Sequence, residues 1–246
     1  MSSPPNQGRV VVTGASGGLG LAIVGRLIAD GHSVVAASRS CPPALNDLIE
    51  QGPERAAFMP LDLAEPEKLQ AFARDVVERF GHPFGLVNNA ALALDGVLAT
   101  MHDREIGAVI QVNVTSTILL TKYLLRPMLL ERRGRIVNVA SIIATTGYNG
   151  LSVYGASKAA LVGFTHSLAR EVGRIGITVN AVAPGYMATG MTAGLGPEQL
   201  DTIRRRSALR ELIDPADAAG AVSYLLGPDA ARVTGIVLTV DGGSTA

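Results

Sequence analysis

The sequence predicts an α/β fold: a single doubly wound domain of about seven parallel strands with helices on both faces. Three observations carry this reading. Short β-branched runs alternate with amphipathic stretches along the chain, and such alternation calls for parallel strands joined by right-handed crossovers. Runs such as RVVVTG and RIVNVA are apolar almost without interruption, as strands covered on both faces must be. The first run ends in a glycine-rich turn, TGASGGLG at 13–20, that leads straight into the helical stretch LAIVGRLIAD.

In chain order, strands are expected at 9–13, 33–37, 56–60, 85–88, 135–140, 178–183 and 237–240. Amphipathic helices are expected between them, notably at 18–30, 66–80 and 215–226. An apolar stretch, roughly 106–130, is interrupted by Gln111, Asn113, Lys122, Arg126 and Pro127, which speaks against a membrane span. Segment 185–210 carries Gly185, Gly190, Gly194, Gly196 and Pro197 and has no strand pattern. Beyond the carboxyl end of a strand, such a segment reads as a substrate-binding loop or lid; the alternative is a surface loop with one small helix. No linker, repeat or low-complexity stretch divides the chain, so residues 1–246 are expected to form one domain.

Hydrophobic residues make up 48% of the 246-residue chain and charged residues 17%, enough for a large core. Lysine plus arginine equals aspartate plus glutamate at 21 each, so no global field favours nucleic acid or an anionic membrane. Cys41 is the single cysteine and cannot form an intrachain disulfide. The start, MSSPPNQGR, has no apolar signal region, and a soluble cytoplasmic protein is the expectation. His32, His82, His102 and His166 are scattered without metal-ligand spacing, and there is neither a CxxC pair nor a GxSxG elbow. No metal is expected in catalysis.

The chemistry concentrates elsewhere. Gly14, Gly18 and Gly20, with Ser16 and Leu19 between them, would let the backbone turn and approach a pyrophosphate at a helix N-terminus. A plain tight turn is the competing reading. The second strand ends SVVAASRS, where an NAD site would carry an acid near the ribose. Ser38 and Arg39 stand there instead. A carboxylate would repel a 2′-phosphate and an arginine can pair with one, so NADP(H) is the expected cofactor. Tyr154 and Lys158, four apart, share one helix face. A phenol with a pKa of about 10 is a sluggish base near neutrality, and a neighbouring ammonium is expected to lower it. Ser141 ends the strand RIVNVAS, where open α/β sheets place ligands.

These motifs stand in a particular order: TGASGGLG, DL at 62–63, NNAA at 88–91, Asn113, Ser141, Tyr154 with Lys158, PGYMAT at 184–189 and VDGG at 240–243. In that order and spacing, from about Gly8 to Gly243, the chain resembles the short-chain dehydrogenase/reductase family. It is most similar to the 3-oxoacyl-(acyl-carrier-protein) reductases, in RGRIVNVAS, GFTHSLAREV and GITVNAVAPGYMAT. The resemblance implies a Rossmann-type fold and NADP(H)-dependent carbonyl reduction of the kind used in fatty acid biosynthesis. Tyr154 would donate the proton, Ser141 would bond the substrate oxygen, and Lys158 would bond the nicotinamide ribose. Asn113 would hold a water in the proton path. Asp62 would hold the adenine amino group beside the Leu63 backbone. Asn88, Asn89 and Ala90 would line the adenine-ribose side. Ala91 stands where the family usually has glycine, and a small backbone adjustment is expected. Pro184, Gly185, Met187 and Thr189 would meet the nicotinamide half. Gly17 occupies a position that is often basic in NADP-preferring members, leaving the phosphate to Arg39, Ser16 and Ser38.

The implied substrate is a 3-oxoacyl thioester on acyl-carrier-protein or CoA. Arg132 matches the first of two docking arginines of the acyl-carrier-protein reductases; the second falls at Ile175, beside Arg174, a departure from the pattern. A free ketone, sugar or secondary alcohol remains the alternative substrate, and a non-catalytic cofactor-binding regulator the alternative class. The family also implies a homotetramer, for which Leu119, Leu120, Leu124, Leu161, Val162 and Phe164 offer apolar area.

Overall fold

The structure is a computed structural model and describes residues 8–187 and 196–246. Among them, β1 (Arg9–Thr13), β2 (Ser33–Ser38), β3 (Ala56–Pro60), β4 (Gly85–Asn88), β5 (Gly134–Val139), β6 (Ile177–Pro184) and β7 (Val237–Val240) form one parallel sheet. The strand order is β3-β2-β1-β4-β5-β6-β7. Strand β1 lies between β2 and β4, with Val12 opposite Ala36 on one side and Val87 on the other. The order reverses between β1 and β4, which opens a crevice at the carboxyl ends of the strands. Every expected strand is present, four with the expected bounds and three with ends shifted by a residue; β5, for example, starts at Gly134.

The helices are α1 (Gly18–Ala29), α2 (Pro43–Glu50), α3 (Leu69–Phe80), α4 (Asp103–Ile110), α5 (Thr117–Glu131), α6 (Ile143–Thr146), α7 (Ser152–Val172), α8 (Pro197–Arg206) and α9 (Pro215–Leu226). They sort by the alternation of strand side chains. Val10, Val12, Val34 and Ala36 face α1 and α9 through Ile23, Val24, Leu27, Val222 and Leu225. Val11, Val35, Leu86, Ile136 and Val179 face α3, α5 and α7 through Phe72, Leu120, Leu124 and Leu168. Most of these side chains are wholly buried, each contributing about 1.5–3 kcal/mol of transfer free energy.

Two elements depart from the expectation. By length and composition the helix Asp103–Glu131 could cross a membrane, at 29 residues and mean hydropathy 1.3. Its interrupting polar residues therefore do not settle the matter; 44% of its apolar window is buried, with Leu120, Leu124 and Met128 fully enclosed against the sheet. This helix is also not uniform. Gln111–Ser116, between α4 and α5, is a π-helical turn, a local widening that occurs often at functional sites. Segment 185–210 contains α8, a full helix begun by Gly196, whose N–H donates to Gln199; residues 188–195 lie outside the described residues.

Candidate active site

The crevice is floored by the loop between β1 and α1. Gly14 and Gly18 have φ of +66° and +51°, left-handed conformations that a side chain disfavours. A Cβ on Gly14 would lie 2.7 Å from the Ala90 Cα, and one on Gly20 would lie 2.0 Å from the Gly14 carbonyl oxygen. Loop, helix start and the chain after β4 therefore meet backbone to backbone. The result is a cradle, with Ser16 half-buried beside it and Leu19 turned into the core. The free N–H groups of α1 point to an anion here. The cradle fits the pyrophosphate of a dinucleotide.

Two polar side chains hold this geometry. The Thr13 hydroxyl donates to the Val87 carbonyl and accepts from the N–H groups of Asn89 and Ala90, the latter two at 3.0 Å. The Asn89 amide donates back to the carbonyls of Thr13 and Gly14 at 2.9 and 3.1 Å. Asn89 thus staples the loop, a positioning task that motif order alone left unspecified. Asn88, expected on the adenine-ribose side, turns its side chain into the core. It is 3% exposed, and its amide donates to Thr121 and Asn138 at 2.9 and 2.8 Å. Asn138 in turn donates to Thr165 of α7 at 2.8 Å. This chain of buried polar groups ties β4 and β5 to α5 and α7. A polar residue inside an apolar strand run, as in RIVNVA, was its only sequence signal. Ala91 lies outside the left-handed region, so its methyl needs no adjustment of the kind expected.

The rim of the crevice carries the remaining cofactor candidates. Ser38 is buried at the end of β2 and its hydroxyl donates to the Ser40 carbonyl at 2.8 Å. Arg39, next to it, is exposed and has no hydrogen bond or ion pair among the described residues. Asp62 accepts the Ala64 N–H, and the Leu63 carbonyl accepts the Ser116 hydroxyl, so the π-helical turn anchors this loop. Pro184 ends β6, and its carbonyl accepts the Ile142 N–H. Gly185 sits so close to Asp241 that a Cβ would approach its Cα to 2.9 Å. Met187 forms a bridge to Ile213. Thr189 lies outside the described residues.

The chemistry-bearing side chains converge above β5. Ser141 follows the end of β5 and accepts the Ile143 N–H at 3.2 Å, and its hydroxyl lies close enough to act on the Tyr154 phenol. Tyr154 and Lys158 project from the first turns of α7, with the Lys158 Nζ 5.7 Å from the Tyr154 ring centroid. Lys158 is 2% exposed and donates to the Val139 carbonyl at 2.7 Å. Burial pushes its ammonium down to about 8. Asn113, in the π-helical turn, donates to the Leu92 carbonyl and to the Ser157 hydroxyl, both at 2.9 Å, and accepts the Leu92 N–H. Ser157 donates to the Tyr154 carbonyl at 2.7 Å. Asn113 therefore braces the Tyr154 turn of α7 against the chain after β4.

One electrostatic expectation is corrected. Tyr154 does not have a depressed pKa: burial raises it, and the Ser141 hydroxyl partly offsets that rise. Lys158 is not among the causes. Its own charge is disfavoured by burial and is directed at the Val139 carbonyl. A buried phenol with a raised pKa is a protonated one, suited to give a proton rather than take it. Among the described residues, no cluster of three or more His, Cys, Asp or Glu side chains is arranged to hold a metal.

Comparison with known proteins identifies the family. The family model described as enoyl-(acyl carrier protein) reductase matches residues 14–245. The 3-oxoacyl-[acyl-carrier-protein] reductase FabG of Vibrio cholerae is 40% identical over 96% of this chain and 97% of its own length. Its Escherichia coli counterpart is 38% identical, over 95% of each. Nodulation protein G of a Rhizobium species is 36% identical over 96% of each chain. Among solved structures, a variant of actinorhodin polyketide ketoreductase with NADPH superposes with a TM-score of 0.88, at 35% identity over 96% of this chain and 97% of that one. With the Ser141, Tyr154 and Lys158 constellation beside a glycine cradle at the switch point, the chain belongs to the short-chain dehydrogenase/reductase family, oxidoreductases acting on keto or hydroxyl groups.

Proposed function

We propose that this protein is an NADPH-dependent reductase of 3-oxoacyl thioesters, carried on acyl-carrier-protein or CoA. The observation that carries the reading is the convergence of Ser141 and Tyr154 beside the glycine cradle, with the Nζ of buried Lys158 5.7 Å from the Tyr154 ring centroid. Gly14, Ser16, Gly18, Leu19 and Gly20 would hold the pyrophosphate. Ser38 and Arg39 would take the 2′-phosphate, Asp62 and Leu63 the adenine. Asn89, Ala90 and Ala91 would back the ribose side, and Pro184, Gly185, Met187 and Thr189 the nicotinamide half. NADPH supplies the hydride when bound.

The chain's own residues do the rest. Ser141 donates a hydrogen bond where negative charge develops on the ketone oxygen, an oxyanion role. Tyr154 delivers its proton to that oxygen, so that one hydride and one proton convert C=O to CH–OH. Lys158 stands one turn on, held against the Val139 carbonyl, where it would bond the nicotinamide ribose, and Asn113 keeps that turn of α7 in place. Thr13, Asn88, Asn138 and Ser157 are positioning residues.

Loss of NADPH absorbance in a panel of acetoacetyl thioesters, free ketones and crotonyl thioester tests the reading. Turnover of the acetoacetyl thioesters is the expected result; turnover confined to free ketones or to the enoyl thioester overturns it. Tyr154→Phe should lower kcat/KM by about 10²–10⁴-fold while NADPH still binds. We further propose that the chain works as one cytoplasmic domain, with 185–210 as its lid, and assembles as a homotetramer. Arg132 caps α5 in a left-handed conformation (φ 50°) and is exposed, available to an acidic carrier protein.

A further inference from the structure

Away from the cradle, the carboxyl half of α7 faces a cavity of about 570 Å³, lined by His166, Ala169, Arg170, Thr234 and Gly235. His166 and Arg170 lie four apart on α7, so their side chains rise from one face of the helix. Both are exposed, and neither side chain has a hydrogen bond or ion pair among the described residues. No carboxylate lines the cavity. Its other wall is the segment that leads into β7, which hydrogen bonds fix to β6. The Thr234 hydroxyl accepts the Val179 N–H at 3.1 Å, and the Gly235 N–H donates to the Val179 carbonyl at 2.8 Å. Asn180 holds the flanking residues, donating to the Val233 carbonyl and accepting the Ile236 N–H. The helix wall is equally firm, since Leu168 and Ala169 are buried. Two fixed elements therefore enclose the cavity, and one of them presents two basic side chains to it.

The donors describe the ligand. Arg170 offers a fork of N–H groups and His166 an imidazole N–H. Thr234 still has its O–H to give, because the Val179 bond uses only its oxygen. Donors without a carboxylate among them select an anion, and a guanidinium matches the oxygens of a phosphate in pairs. Three donor groups on two walls suit a tetrahedral head with three free oxygens better than a carboxylate with two. The bare ion would leave most of the cavity empty, whereas cavities of this size hold organic ligands. Gly235 has no side chain, and Ala169 carries only a methyl, so the floor between the walls is flat and apolar. We infer that this cavity binds a phosphate monoester, its head held by Arg170, His166 and Thr234 and its organic body lying over Ala169 and Gly235. Tyr154 precedes His166 by twelve residues, about 18 Å along the helix axis. Thr234 stands before the amino end of β7, whereas the glycine cradle lies at the carboxyl ends of the strands. The ligand is therefore neither the dinucleotide nor the carbonyl substrate, and the site does not depend on which ketone the enzyme reduces.

Calorimetric titration of phenyl phosphate into the full chain at fixed ionic strength tests the assignment. Wild type should bind it. Arg170→Gln should weaken binding by about tenfold, the worth of one charge-assisted hydrogen bond, and His166→Gln by several-fold. Thr234→Ser, which keeps the hydroxyl, should bind as wild type does. NADPH affinity should be the same in all four proteins, and phenyl phosphate should not displace NADPH. No binding to wild type, equal binding to wild type and Arg170→Gln, or displacement of NADPH overturns the assignment. Inorganic phosphate binding as tightly as phenyl phosphate would reduce the site to a place for the bare ion and overturn the organic ligand. A smaller assembly mass for Arg170→Gln than for wild type in light scattering would mark the cavity as a contact between copies of the chain, which overturns the assignment too.

Discussion

Lys158 shows how a single buried side chain can link catalysis to stability. Its ammonium is enclosed beside the Val139 carbonyl, and its pKa falls from 10.5 to about 8. Below pH 8 the folded and unfolded forms are both protonated, and the folded form bears the burial penalty. Between about 8 and 10.5 the folded form loses its proton first, so the unfolded state binds more protons and stability rises with pH. Chemical denaturation of the ligand-free protein should show that rise, and Lys158→Met should flatten it; an unchanged slope would place the titration elsewhere. Arg39 offers the contrasting case, an exposed cation with no partner among the described residues. Arg39→Asp should weaken NADPH binding and improve the use of NADH, read as the ratio of kcat/KM for the two cofactors. An unchanged ratio would remove Arg39 from phosphate recognition.

At the scale of elements, two of the three glycines of α1 have opposite roles. Gly20 has no room for a Cβ, whereas Gly25 would place one 3.7 Å from Leu48, an ordinary contact. Gly20→Ala should therefore cost about 1–3 kcal/mol and weaken NADPH binding, because the obstruction is backbone. Gly25→Ala should stabilise by about 0.5–1 kcal/mol through helix propensity. Thermal midpoints and NADPH fluorescence titrations of both variants check the pair. The glycine pattern of this turn was legible in the chain because the requirement is local. The Thr13–Asn89 staple and the Asn88–Asn138–Thr165 chain were not, because their partners lie 27 to 76 residues apart and meet only after the sheet forms. The π-helical turn at Gln111–Ser116 gave no periodic signal either, since one turn of altered pitch barely disturbs the apolar pattern.

For the whole molecule, the question is which apolar surface is left over. Leu120, Leu124 and Leu161 are used inside the fold and cannot also face a partner. Ile110 and Ile118, each 37% exposed, and Leu130, 76% exposed, remain on the outside of the α4–α5 helix, and β7 is an edge strand. Light scattering should return the mass of four 25.5 kDa chains; a single-chain mass would show that this surface is simply solvated. The layout of the molecule followed from its sequence. Alternating strand and helix periods, apolar runs and a glycine turn rest on short-range rules, so the parallel doubly wound sheet, the cradle and the face shared by Tyr154 and Lys158 could all be read along the chain. The electrostatics could not. Whether Lys158 lowers Tyr154 and whether the Asn88 amide is spent inside the core depend on burial and on groups distant in sequence. Desolvation and hydrogen-bond geometry are properties of the packed interior, and they exist only once the chain has closed around those side chains.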